Sequence, residues 1–487
     1  MRIAGRHGGG ILACCVALLV ALALPAFAVA RPGALDRGFN RSGKVVTVLP
    51  DPGRIRSYPN YAVPFEFAPG RVAMATAPGG KLVVATSQAI VRYLANGRRD
   101  RSFGGGGAVP IEGLDGFRFQ LADVAVDSQG RTLIAGTTKA TNGIGLEGQP
   151  VAGPIPSIGT VRRYSADGQP DTSFGGGGIV RSFFGAPPAT FEGEAYSEPT
   201  VSLLGLAVDG EDRPVLSGSS VDEVGRCGSS DARYQRSQAF VARMAVGGGP
   251  DPGFASGSSA AIRGLAWLDL PTPRGDGAFA VGGSADPCHE RPNEPSVVAA
   301  FGSNGLNPIF GGDGLWSRPF MRVSDLAVAP GGRVVLLART IELKRGKWVE
   351  SAGRAIRLNR NGSLDRRFGK RGEAAVGLPR RASLAALAVD RGGRVLLAGT
   401  MRRKTRAKRG RKPRTQLQFL LVRTTAAGRP DRRFGRRGRV ATGFGGRSNV
   451  RAAEILVDRA NRIMIGGKFS GPKSGNAFAI ARYRGGR

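Results

Sequence analysis

Two histidines, His7 and His289, stand among 487 residues, and that scarcity bounds the chemistry available to the chain. His7 lies in an N-terminal segment expected to be removed, and His289 follows Cys288 in a polar stretch. A Ser-His-Asp relay would have to use His289, and no Gly-x-Ser-x-Gly elbow is present to carry its nucleophile. No Cys/His cluster has the spacing of a zinc site. Asp209, Glu211 and Asp212 crowd a turn without the ligand spacing of a calcium loop. The glycine runs Phe103–Gly107 and Phe174–Gly178 lack the Lys-Ser/Thr of a phosphate-binding loop. No metal and no cofactor is therefore expected. Glu192, Glu194 and Glu198 could supply the paired acids of a glycosidase only at a defined separation, and a solvated acidic loop is the expected reading.

Charge offers more. The chain has 71 Lys and Arg against 36 Asp and Glu, a formal net charge of +35. Part of this is compositional, but it is also concentrated. "RRKTRAKRGRKPR" places nine cations, Arg402, Arg403, Lys404, Arg406, Lys408, Arg409, Arg411, Lys412 and Arg414, within thirteen positions. Lys344, Arg345 and Lys347 sit beside Trp348 in the corresponding connection of the preceding repeat. Such runs attract polyanions by steering and counterion release, the alternative being a solvated loop with no specific partner.

The elements that must hold these loops repeat along the chain. Asp-x-x-Phe recurs at Asp36/Phe39, Asp100/Phe103, Asp171/Phe174, Asp251/Phe254, Asp365/Phe368 and Asp431/Phe434, with a degenerate copy at Asn307/Phe310. Successive phenylalanines lie 64, 71, 80, 56, 58 and 66 residues apart. Each copy precedes short Val-, Ile- and Leu-rich runs joined by turns such as Ser128-Gln129-Gly130 and Arg391-Gly392-Gly393, where Gly supplies positive φ. No 3.6-residue apolar period is sustained beyond the first thirty residues, and 76 Gly with 31 Pro argue against long helices. A four-stranded antiparallel unit repeated seven times predicts an all-β, seven-bladed β-propeller over residues 31–487. A linear solenoid is the competitor, and it would need capping ends. The first strand near Gly43–Leu49 and the last at Phe478–Tyr483 are expected to close the ring. Within each copy the ring of Phe is expected to fill the gap between blades, and the Asp to accept backbone N–H bonds in its own turn.

The run "RYSADGQPDTSFGGGGIV", followed by "LAVD…GR..L.G" patterns, resembles the bacterial delta-60 repeat across nearly everything after residue 34. That resemblance implies secreted propellers of largely unknown activity and brings no catalytic residues with it. The fourth and fifth repeats depart from the pattern, with Ala255 after Phe254 and Asn307-Pro308-Ile309-Phe310 in place of Asp-x-x-Phe, and distorted blades are expected there.

Met1–Ala30 reads as a secretory signal peptide: Arg2 and Arg6, an apolar stretch Ile11–Leu24, then small residues around Ala28 and Ala30. No second apolar run follows, so a secreted or cell-surface protein without a membrane span, and a monomer, is expected. Cys227 and Cys288 fall in equivalent connections of consecutive repeats and are expected to form a disulfide, two free thiols being the alternative. The expected function is a binding scaffold for an anionic polysaccharide, cell-wall polymer or other polyanion, held by the basic loops, rather than an enzyme. The rival is a propeller hydrolase or lyase acting on polysaccharide near the central channel. Carboxylates converging there would favour it.

Overall fold

In the computed structural model, strands rich in branched and small apolar residues pair with their sequence neighbours and almost never across distance. It describes residues 31–49 and 71–486, apart from 112–116, 141–156, 187–188, 192–193, 198, 227–232, 256–258, 263–264, 266, 275–276, 284–295, 303–304, 346, 352, 380, 405–413 and 473–475. Among them the one helical element is a 3-10 turn, Pro78–Gly80. No helix is long and apolar enough to cross a membrane.

The regular sheet is antiparallel: Ala73–Ala77, Lys81–Ala85, Ala89–Tyr93 and Ala108–Pro110 pair in that order. Its fourth strand follows the Asp-x-x-Phe element, so each sheet takes three strands from one sequence repeat and the outer strand from the next. The same offset closes the chain. Lys44–Val48 pairs antiparallel with Ala477–Arg484, in register from Lys44 opposite Ala481 to Val48 opposite Ala477. First strands of successive sheets lie side by side: Ala73–Ala77, Phe117–Val126, Thr200–Val208, Trp267–Arg274, Met321–Ala329, Ala382–Val389 and Asn449–Val457, the last returning to the first. The arrangement is an all-β propeller, its first strands lining the centre.

The expected seven separate sheets are not what the pairing gives. Five stand alone with four or five strands, and a sixth has ten. The large sheet forms because Thr200 pairs parallel with Ser157, whose hydroxyl donates to the Val201 carbonyl at 2.9 Å. A short hairpin, Ala189–Phe191 with Glu194–Ser197, adds to its edge through Thr190 opposite Glu223. The sheet built on Trp267–Arg274 is irregular, with a register shift between Asp269 and Thr272. Two short strands, Gly305–Leu306 and Leu315–Ser317, share its outer position.

Apolar clusters sit between sheets, each drawing residues from two neighbours. At the junctions the repeated Phe rings are fully buried. Phe368 packs on Gly428 of the next sheet, where an added Cβ would lie 2.9 Å from the ring. Glycine is required there by both that contact and its φ of +77°.

Candidate functional site

Six junctions among the described residues carry a latch of three side chains. An arginine on the third strand of a sheet reaches the repeated Asp, stacks on the repeated Phe, and donates to a carbonyl in the next sheet's turn. Arg423 Nε donates to Asp431 Oδ2 at 2.9 Å, its guanidinium lies 4.2 Å from the Phe434 centroid, and it donates to the Gly485 carbonyl. The Asp Oδ1 accepts a backbone N–H two residues on, from Arg433 at 3.1 Å. Arg92, Arg163, Arg243 and Arg357 stand likewise over Phe103, Phe174, Phe254 and Phe368. They pair with Asp100, Asp171, Asp251 and Asp365. Arg482 pairs with Asp36 at 2.9 Å and stacks on Phe39, so the latch also joins the two ends of the chain. Phe310 is buried too, but its neighbours are Ala300 and Asn307: arginine and aspartate are absent together. Charge explains the coupling, because either ion alone would be buried without a partner. The arginine eight residues before the Asp is visible in five copies of the sequence, but nothing local to it discloses its role.

A second constellation lies at the centre of the ring, where the first strands meet. First strands bulge near the middle, and at these bulges stand Asp123, Asp269, Asp325 and Glu454. Three of the four carboxylates bind the neighbouring first strand. Asp325 accepts Leu326 N–H at 2.7 Å and Leu387 N–H at 2.5 Å; Glu454 accepts Met74 N–H at 2.5 Å. Asp123 accepts Val124 N–H at 2.8 Å and is also bonded to the Leu206 backbone. Arg71 enters the same space, 3.6 Å from Asp269, and donates to the Leu204 carbonyl at 2.8 Å. Burial pushes Asp325 up to about 7, against the two N–H bonds, with the Asp269 charge adding to the rise. Burial likewise pushes Asp123 up to about 6, with Arg71 opposing. Glu454 is held well above its ordinary range by burial and by Asp123. Burial disfavours the Arg71 charge, yet Asp269, Asp123 and Glu454 together hold its pKa above the ordinary value. Sequence reasoning misses these acids. Their signal is an acidic residue four positions before the aspartate that opens the hairpin turn in "DVAVD" and "EILVD", which reads as ordinary strand alternation.

The basic loops are placed in part. Arg402, Arg403 and Lys404 end the strand Val395–Lys404 and are exposed, and Arg414 is exposed across from them. Arg406, Lys408, Arg409, Arg411 and Lys412 lie outside the described residues, as do Cys227, Cys288, His289, Glu192 and Glu198. Lys344 and Arg345 are exposed at a hairpin end, where Lys344 pairs with Glu342 at 2.8 Å, and Lys347 stands opposite Lys344 in register. No cluster of three or more metal-ligating side chains occurs among the described residues.

The fold and its latches define a propeller of repeated sheets. No known family profile matches the chain, and no curated protein matches it. Among solved structures it is similar to the polysaccharide lyase Uly1, at 10% identity over 89% of this chain and 95% of that one, with a TM-score of 0.46. A protein of unknown function from Dyadobacter fermentans matches at 12% identity over 76% of this chain and all of that one, TM-score 0.40. Trypanosoma rangeli sialidase matches at 10% identity over 85% of this chain and 55% of that one, TM-score 0.36. At these identities the likeness says nothing of activity.

Proposed function

We propose that this chain is an exported, seven-bladed propeller that binds an anionic polymer outside the cell and does not turn it over. Two features support the count of seven. The first strands form a closed succession of seven. The ten-stranded sheet divides into two four-stranded sets, Phe117–Val126 to Ile179–Ser182 and Thr200–Val208 to Ser259–Ile262, bridged by one backbone pair.

The observation that carries the binding reading is where the charge resides. The buried latch arginines are matched one for one by aspartates, and the hairpin pairs Asp127–Arg131, Asp209–Arg213, Asp390–Arg394 and Asp458–Arg462 are balanced too. The centre of the ring carries four carboxylates around Arg71. None of these sets contributes to the excess of +35, which must therefore lie on other residues. An outer surface so loaded attracts polyanions through released counterions. Among the described residues of the basic loops the exposed contributors are Arg402, Arg403, Lys404, Arg414, Lys344 and Arg345. The test replaces the nine cations between Arg402 and Arg414 by Ser or Gln and measures binding to polygalacturonate at two salt concentrations. Weaker binding with a smaller salt slope and an unchanged melting temperature is expected. Binding equal to the parent's would remove the loop from the reading.

A second reading, a hydrolase or lyase acting in the channel, is favoured by one observation: Asp123, Asp269, Asp325 and Glu454 converge around Arg71. Against it, three of those acids are engaged with backbone N–H groups, a structural role that repeats from sheet to sheet. Incubation with polyuronates is expected to release no reducing ends. Release that disappears in Asp325→Ala would establish the second reading instead.

A further inference from the structure

We propose a second polyanion surface on the face opposite the basic loops, an arc across four consecutive Asp-x-x-Phe turns that takes a linear anionic polysaccharide. This rests on the polyanion reading above and adds its location. The hairpin turns and the Asp-x-x-Phe turns share one face, since hairpin cations reach the repeated Asp: Lys81 to Asp100 at 3.0 Å and Arg333 to Asp365 at 3.2 Å. Strand direction puts the paired ends Lys404 and Thr415 on the other face.

Around this face the turns are linked in a fixed order by backbone bonds. Gly369 N–H donates to Ala427, Gly435 N–H to Pro32, and Asn40 N–H to Asn96. The four turns so joined read "DRRFGKRG", "DRRFGRRG", "DRGFNRSG" and "DRSFGGGG". The next three, continuing the ring, read "DTSFGGGG", "DPGFA" and "NPIFGGDG", without a cation. Among the described residues, the exposed charges on the turns of that side are acidic: Asp167, Glu211 and Asp313. A compositional excess of arginine would load all the turns alike. This face is instead divided, basic over one arc and neutral to acidic over the rest.

The residues themselves are unpaired. Arg366, Arg367, Arg432 and Arg433 are exposed, and among the described residues none of them makes an ion pair. The backbone supplies an independent sign. Arg371 and Arg437 hold φ of 55° and 54°, in the left-handed region that disfavours any residue with a Cβ. The equivalent position in "DTSFGGGG" is Gly177, φ 67°, which occupies the region freely. Arginine is thus kept where glycine would sit with less strain. Strain retained at exposed sites points to a use for the side chain.

The chemistry of the arc selects its partner. The cations are nearly all arginine, whose planar fork suits carboxylate and sulfate groups in pairs. The aromatic rings of these turns are buried, so nothing is offered for bases to stack upon, as single-stranded nucleic acid binding requires. Among the described residues, the exposed large apolar side chains, Ile309 and Val246 among them, lie elsewhere than on these four turns, so no apolar face is presented to a membrane. A flexible chain of acidic sugars can follow charge spread along a curved rim.

The experiment uses the full protein with fluorescent polygalacturonate, a neutral dextran, single-stranded DNA and anionic vesicles as probes. Arg366→Gln/Arg367→Gln/Arg432→Gln/Arg433→Gln should weaken polygalacturonate binding about tenfold or more at low salt and flatten its salt slope. The loop variant described above should retain the binding that the arc variant loses. Arg371→Gly/Arg437→Gly should also weaken binding while the melting temperature stays level or rises, an outcome that a purely structural role would reverse. If the parent binds polygalacturonate and both arc variants bind it equally well, the arc is wrong and the polyanion reading stands. If the parent binds none of the anionic probes, both fall. If DNA or vesicles bind through the arc more tightly than the polysaccharide, the assigned partner is wrong.

Discussion

Arg423→Ala should destabilise the propeller by about 3–5 kcal/mol, the usual result of removing one partner from a buried ion pair. The Arg423 side chain is 2% exposed and that of Asp431 11%, so the remaining carboxylate would keep its burial and lose its counter-charge. Burial already pulls the Arg423 pKa below its ordinary range, with Asp431 opposing, so the guanidinium depends on that carboxylate to stay where it is. The mutation also removes the cover over Phe434 and the donor to the Gly485 carbonyl, a contact between neighbouring sheets. Asp431→Asn alone should cost less, because the amide oxygen can still accept the Arg433 N–H.

The informative variant is the double one. Arg423→Ala/Asp431→Asn copies what the protein does at Phe310, where Ala300 and Asn307 stand in the same places around an equally buried ring. It should be more stable than the sum of the single changes by about 1–3 kcal/mol, the coupling expected of groups in one network. Urea denaturation of the four proteins gives that number directly. A double mutant no better than additive would mean that the pairing at this junction has little energetic content. The packing of Phe434 would then be what holds neighbouring sheets together.

The latch shows what sequence alone can and cannot disclose. Asp and Phe recur at fixed spacing within one turn, so their repetition is legible. The arginine belongs to the preceding strand, and the turn between them absorbs a residue at the degenerate copy, where Asn307 N–H meets Ala300 at one residue less than the usual separation. For Asp36 the partner is Arg482, at the other end of the chain, and only the closed ring brings them together. The offset of the outer strand is hidden for a similar reason: a repeat marks periodicity, not where a sheet begins. The central acids are least visible. Asp123, Asp325 and Glu454 sit in apolar strands at bulges, and nothing local distinguishes a bulge facing the centre of the ring from one facing a core. The basic arc is written plainly in "DRRFGKRG" and "DRRFGRRG", but its continuity needs the order of turns around the ring.

Those central acids should make the protein more stable at pH 5 than at pH 8. Asp325 and Asp123 have folded-state pKa values raised to about 7 and about 6 from 3.8, and Glu454 is raised well above 4.5. A raised carboxylate pKa means that the folded protein holds a proton the unfolded chain releases. Stability from this source is complete below the unfolded values and falls as pH climbs through about 4 to 7, then levels off once the folded groups have ionised. The opposite contribution comes from the latch. Asp100 is lowered to about 2: burial opposes, but Ser102, Lys81 and Arg92 outweigh it. Its stability is present above 3.8 and is lost only as pH falls toward 2. The two effects together place the maximum near pH 4–5. Each tenfold gain in proton affinity on folding is worth ~1.4 kcal/mol, so the loss toward neutral pH should be plain in the denaturation midpoint. Denaturation midpoints across pH 4 to 9 would trace the curve. Asp325→Ala should lower stability throughout by removing two N–H acceptors, and should flatten the slope between pH 5 and 8. Stability rising steadily from pH 5 to 8 would show these carboxylates ionised in the folded protein, acting only as acceptors for their neighbours' N–H groups. The centre of the ring would then hold no proton at neutral pH for a bound sugar to receive, and a general acid of the kind a glycoside hydrolase needs would be missing.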